Sequence, residues 1–129
     1  MGRRILVVED EVEVREALRE MFTSAGYEVD VAEDGYDAVE RAVSKDYDLI
    51  TMDVRMPRLN GIRATDILRE RRPSVPVVIV SGYLGGDFKY RKDLEAMGVR
   101  YFLEKPFSMA EAVKVIRKAM GEDKKSPES

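Results

Sequence analysis

The sequence predicts an α/β protein, a doubly wound parallel sheet of five strands with five helices on both faces, and three observations carry that expectation. Short apolar runs such as Ile5-Leu6-Val7-Val8, Leu49-Ile50-Thr51-Met52 and Val77-Val78-Ile79-Val80 have the nearly continuous character of strands buried on both faces. Between them the apolar spacing changes to three and four residues, the period of a helix with one buried stripe. Strand and helix patterns then alternate along the chain, as repeated βαβ units require.

Met1 to Arg4 lead into the first strand, Ile5 to Val8. From Val14 the stripe Val14, Ala17, Leu18, Met21, Phe22 and Ala25 marks a helix, and Gly26 stops it. Tyr27 to Ala32 alternates, with Val29 and Val31 on one face, as a shorter strand near an edge does. Glu33-Asp34-Gly35 is a turn, and Ala38, Val39, Ala42 and Val43 mark the second helix. Ser44-Lys45-Asp46 leads back to the central strand, which ends on Asp53.

After Pro57, the stretch Arg58-Leu59-Asn60-Gly61 reads as a loop. Asn60 is a natural N-cap for a helix that carries Ile62, Ile67 and Leu68 inward. Arg69 to Arg72 reads as a solvated helix end whose cations complement the dipole. Val75 to Val80 is the fourth strand, Tyr83-Leu84-Gly85-Gly86-Asp87 a connection, and about Phe88 to Met97 the fourth helix, closed by Gly98. Tyr101 to Leu103 is the last strand. Ser108-Met109-Ala110-Glu111 is a capping box that opens a final helix striped by Met109, Ala112, Val113, Ile116, Ala119 and Met120. The expected organisation is one domain over residues 1–121 and a polar, frayed tail over 122–129.

At 129 residues the chain has room for one domain with a real core. No apolar run approaches the length of a membrane span or a signal-peptide core, and a cytoplasmic location is expected. There is no cysteine and no histidine, so thiol chemistry is excluded and any metal must take oxygen ligands. That favours magnesium, with manganese as the alternative. A formal net charge of −3 gives no long-range attraction to nucleic acid, and no direct nucleic-acid binding is expected.

Chemistry-bearing residues collect where the apolar runs end. The first run enters Glu9-Asp10-Glu11, the third ends on Asp53, the fourth enters Ser81-Gly82, and the fifth enters Glu104-Lys105-Pro106. If the strands are parallel neighbours, these groups converge on the edge where doubly wound sheets bind their ligands. Glu9, Asp10 and Asp53 together repel one another unless a cation sits among them. Three carboxylates, Lys105 and one divalent ion sum to zero formal charge. Such a site can accept a phosphoryl group, with Asp53 as nucleophile, Lys105 and the metal on its oxygens, and Ser81 as a hydroxyl donor. Gly82 would let a backbone N–H approach the phosphate closely. Any one of these residues alone is more economically read as a solvated loop residue or turn former; the ordered set is specific.

The set Val7-Val8-Glu9-Asp10-Glu11, Met52-Asp53-Val54-Arg55-Met56-Pro57, Asn60-Gly61, Val80-Ser81-Gly82 and Lys105-Pro106-Phe107 resembles the receiver domains of two-component response regulators, from Arg4 to Met120. The resemblance implies a flavodoxin-like strand order 2-1-3-4-5 and transfer of a phosphoryl group from a kinase phosphohistidine to Asp53. It implies Mg²⁺ held by Asp10, Asp53 and the backbone carbonyl of Arg55, with Glu9 acting through water, and phosphoryl contacts from Lys105 and Ser81. The implied partners are a sensor histidine kinase or histidine phosphotransferase, and a downstream protein docked on the surface of the fourth helix, fifth strand and fifth helix. The implied state is a monomer or a dimer formed on phosphorylation. Two departures stand out. The aromatic of the family's switch is Phe102, where many members have tyrosine, so coupling with Ser81 must rest on packing. The stretch from Ser81 to Lys105 is slightly long, with Gly85-Gly86 as the excess.

Two other functions compete. The chain could be the receiver part of a transcription factor whose DNA-binding output lies elsewhere. A phosphohydrolase with an aspartyl intermediate would typically carry a second acid two residues after the nucleophile, where Arg55 stands, and ranks low.

Overall fold

Strands and helices alternate without interruption in the computed structural model, which describes residues 2–54, 60–82 and 91–122. In chain order they are β1 (Arg4–Val8), α1 (Val12–Ser24), β2 (Glu28–Ala32), α2 (Gly35–Ser44), β3 (Leu49–Asp53), α3 (Gly61–Arg71), β4 (Val77–Ser81), α4 (Arg91–Ala96), β5 (Tyr101–Glu104) and α5 (Met109–Ala119). All five strands are parallel, in the order β2-β1-β3-β4-β5. The order reverses between β1 and β3, which opens a crevice beyond their carboxyl ends.

Side-chain alternation along each strand divides the core into two layers. Ile5, Val7 and Leu49 face α1 and α5, where they meet Leu18, Phe22, Ala112 and Ile116. Leu6, Val8, Ile50 and Met52 face the other way, toward Ala38 and Ala42 of α2, Ala64 and Leu68 of α3, and Leu94 of α4. The strands are therefore apolar at successive positions because both faces are covered.

Helix starts follow local polar chemistry. Asn60 Oδ1 accepts the Arg63 backbone N–H at 2.9 Å. The Ser108–Glu111 capping box is complete, with bonds of 3.1 and 2.8 Å. Asp34, read from sequence as part of a turn, also caps α2 by accepting from Asp37 N–H at 2.9 Å.

The expectations need several corrections. Helix α1 begins at Val12, two residues early, and Ala17 faces solvent while Leu18 and Phe22 carry the buried stripe. Val43 and Met109 are 39% and 44% exposed; each sits in a terminal turn, where the apolar stripe runs past the layer that covers it. Strand β4 starts at Val77 and includes Ser81, because Pro76 has no N–H for the ladder and contributes only its carbonyl, to Ile50 N–H. Among the described residues helix α4 runs from Arg91 to Ala96, and the Phe88 to Tyr90 part of the expected helix, like Tyr83 to Asp87, lies outside them. Glu122, the expected start of the tail, is held to the domain: it accepts the Tyr27 hydroxyl at 2.7 Å and pairs with Arg3 at 3.2 Å.

The arginines closing α3 are more than solvated cations. Arg69 donates to the carbonyls of Met97 and Val75 at 3.1 and 2.9 Å. Arg72 donates to the carbonyls of Ala42 and Val43 at 2.9 and 3.2 Å, the last turn of α2, and pairs with Asp46. The Arg72 bonds satisfy carbonyls in the last turn of α2 that lack partners within their own helix, and the Arg69 bonds tie α3 to the segments just after α4 and just before β4. Arg72→Met keeps the aliphatic stem and removes the donors, and should lower stability by about 1–2 kcal/mol, read from the urea midpoint at constant m-value.

Candidate functional site

The register of the sheet brings the sequence-predicted groups to one edge. Val8 pairs with Met52, so Glu9 follows β1 at the level where Asp53 ends β3. Asp53 pairs with Val80, and Ser81 pairs with Glu104, which places Ser81 and Lys105 on the next two strand ends. The Lys105 N–H donates to the Ser81 carbonyl at 2.9 Å, joining those two ends directly.

Glu9 is fully buried, and Asp53 and Ser81 are nearly so; Asp10 is partly exposed. Glu9, Asp10 and Asp53 each offer a carboxylate oxygen, all within 4.8 Å of one another. Lys105 Nζ lies 3.2 Å from Glu9 Oε1, 3.6 Å from Glu11 and 3.8 Å from Asp53 Oδ1. Burial pushes the Glu9 carboxyl up to about 8, with Asp53 adding to the rise and Lys105 opposing it. Partial burial pulls the Lys105 ammonium down, but the Asp53 and Glu9 carboxylates outweigh that and hold it above the ordinary lysine value.

The donor set fits a hard cation. Glu9 Oε1 is buried and makes no hydrogen bond, with only the Lys105 ammonium in ion-pair range among the described residues. An all-oxygen set of three crowded carboxylates is what an ion of the magnesium class takes. Arg55, whose carbonyl the sequence reading placed among the ligands, lies outside the described residues, as do Met56 and Pro57.

Three residues of the site escaped the sequence reading. Arg15 donates from α1 to the carbonyl of Glu9 at 2.9 Å and reaches that of Asp10 at 3.5 Å, fixing the backbone that carries both acids. Its signal was a basic residue one helical turn after the acidic run. Glu11, counted in that run without a role, supplies a third carboxylate to Lys105. Gly61 was noted beside the Asn60 cap, but its packing was not: a Cβ there would lie 2.1 Å from the Asp53 carbonyl oxygen and 2.8 Å from Val54 Cα. Its N–H donates to the Val54 carbonyl at 3.1 Å, so α3 starts pressed against the strand end that bears Asp53. By contrast, a Cβ at Gly82 would meet nothing within 4 Å, and packing among the described residues does not require glycine there.

Phe102 lies on β5, opposite Ile79 of β4, half-buried against the layer under α3 and α4. It faces away from the α5 layer that holds its neighbour Leu103.

With this geometry in place, the chain belongs to the response regulator receiver domain family, whose model matches residues 5–117. It is 34% identical over 119 residues to the chemotaxis protein CheY of Thermotoga maritima, covering 92% of this chain and 98% of that protein. It is 39% identical over 120 residues to the transcriptional regulatory protein PdtaR of Mycobacterium tuberculosis, covering 92% of this chain and 57% of that protein. It spans 49% of the transcriptional regulatory protein CusR of Escherichia coli, so it covers about half the length of several transcriptional regulators it matches. Among solved structures it is similar to the response regulator TrrA of Thermotoga maritima in complex with Mg²⁺ and BeF, with a TM-score of 0.81, 32% identity, and 91% and 98% of the two chains covered. The flavodoxin-like order expected from the motifs is the order observed. No helix of the described residues is long and apolar enough to cross a membrane.

Glu9 makes metal-free stability depend on pH. Between about 4.5 and about 8 the folded protein keeps a proton that the unfolded chain has lost, so stability falls as pH rises through that window. Glu9→Gln should flatten this fall and leave the protein more stable than wild type near pH 8. Urea unfolding in EDTA across the window gives the comparison, and parallel pH profiles for the two proteins would contradict the assignment.

Proposed function

We propose that Asp53 accepts a phosphoryl group from the phosphohistidine of a sensor histidine kinase or a histidine phosphotransferase. A carboxylate oxygen of Asp53 attacks phosphorus as the P–N bond breaks, and the bonding electron pair returns to the imidazole nitrogen. The observation that carries this reading is the buried Asp53 carboxylate with Lys105 at 3.8 Å and two further acids beside it.

Glu9, Asp10, Asp53 and the backbone carbonyl of Arg55 would hold Mg²⁺, or Mn²⁺, with Glu9 acting through water. The ion supplies positive charge against the equatorial phosphoryl oxygens. Lys105 and Ser81 supply the remaining donors to those oxygens. In this reading the domain assists only its own phosphorylation and hydrolysis, and acts on no separate substrate.

Coupling to the surface is supported by Ser81 on β4 and Phe102 on the neighbouring β5, which lie two positions apart in the register on one face of the sheet. Ser81, drawn toward the phosphoryl group, vacates volume that the Phe102 ring fills. Full burial of such a ring is worth about 1.5–3 kcal/mol, enough at partial burial to bias a two-state equilibrium without a hydroxyl. The downstream protein then docks on α4, β5 and α5. The span of about half of PdtaR supports a second reading, the receiver part of a transcriptional regulator; the reading frame around this sequence decides between them.

Incubation with acetyl phosphate and Mg²⁺ should add the mass of one phosphoryl group, removed by hydroxylamine, and Asp53→Asn should add none. Stoichiometric labelling of Asp53→Asn would remove Asp53 from the role. Lys105→Ala should leave Mg²⁺ binding largely intact and lose most of the amide shifts that phosphorylation induces along α4 and α5, because no cation remains on β5 to be drawn toward the phosphoryl group. Wild-type shifts in the phosphorylated variant would exclude Lys105 as the link.

A further inference from the structure

Arg91, the first residue of α4, lays its guanidinium carbon 4.1 Å from the centroid of the Phe102 ring. Glu95, one turn further on, pairs with Arg91 Nε at 3.3 Å and so orients the guanidinium. The ring also packs against the buried layer that includes Leu94, Val99 and Ile79. At the other end of α4, Arg69 holds the Met97 carbonyl at 3.1 Å, and Gly98, at φ +98°, lies so close that a Cβ would sit 3.0 Å from the Arg69 guanidinium. Helix α4 is therefore tied to α3 at its carboxyl end and to the β5 aromatic at its amino end.

We propose that Arg91 is a latch: by stacking on Phe102 it holds the ring in its half-buried position and biases the domain toward the unphosphorylated conformation. This rests on the reading of Phe102 as the aromatic that couples Asp53 to the surface. A ring that moves into space beside Ser81 must leave the guanidinium behind, so the contact belongs to one conformation and shifts the equilibrium by its own strength. A cation over an aromatic face at a partly exposed position is worth about two- to fivefold in an equilibrium constant. Arg91 touches neither the acids nor the phosphoryl site, and acts as a positioning residue through the ring.

The test is a titration of the full chain with beryllofluoride in the presence of Mg²⁺, followed by amide shifts, with thermal unfolding of each variant alongside. Arg91→Ala should bind beryllofluoride about two- to fivefold more tightly than wild type, and Arg91→Lys should fall between. In the Phe102→Leu background, Arg91→Ala should change the affinity no further. Unchanged or weaker affinity in Arg91→Ala, or the same gain with Phe102→Leu present, overturns the latch, as does an affinity that simply tracks thermal stability across the variants. A wild-type protein that binds beryllofluoride while Arg91→Ala is unchanged overturns the latch alone; a wild type that does not bind overturns the phosphoacceptor reading and the latch with it.

Discussion

Three carboxylates held within 4.8 Å of one another at a buried sheet edge are electrostatically unfavourable, and much of the surrounding structure manages that repulsion. Lys105 reaches across from the end of β5 to Glu9 and Asp53, while Glu9 retains its proton well into the neutral range. Arg15 fixes the backbone between Glu9 and Asp10 from below. The acids cannot relax apart, because the β1–β3 ladder sets the separation of their strands and Gly61 wedges α3 against the Asp53 carbonyl. A pre-formed, under-neutralised cluster of this kind favours a divalent cation.

In the proposed function the same ladder that builds the site would also carry its state outward. Lys105 and Ser81 are joined through the backbone bond at the ends of β5 and β4, and Phe102 lies on β5 between that bond and α4. On that proposal a displacement at Ser81 or Lys105 would be felt on a short edge strand whose two faces differ: Leu103 is locked into the α5 layer, whereas Phe102 is only half-covered. Motion is cheapest where packing is least complete. Helix α4, pinned at one end by Arg69 and resting on the ring through Arg91, is the element that would register it.

Arginine recurs as a tie between elements away from the site. Arg69 donates to main-chain carbonyls on two segments, Arg72 to two carbonyls in the last turn of α2, and Arg3 meets Glu122 after α5. The planar fork with several donors suits this use, since one side chain can satisfy carbonyls left open at neighbouring helix ends.

By itself the sequence determined the order of strands and helices, the two-sided burial of the central strands and the identity of the strand-end residues. Each of these is written in local chemistry: apolar period, caps such as Asn60 and Ser108, and acids or lysine at the ends of apolar runs. The motifs extended that to the strand order, since the spacing of Glu9, Asp53, Ser81 and Lys105 has the family's pattern. Only the tertiary structure decided what depends on groups far apart in the chain. Gly61 is required by the Asp53 carbonyl, Arg15 and Glu11 belong to the site, and Arg69 and Arg72 are clamps and not solvated charges. The position of Arg91 over Phe102 is of the same kind, because the two lie on different elements and neither residue type announces the other. Periodicity reports which face of an element is buried; it does not report which long polar side chain will find a carbonyl or a ring across the space between elements.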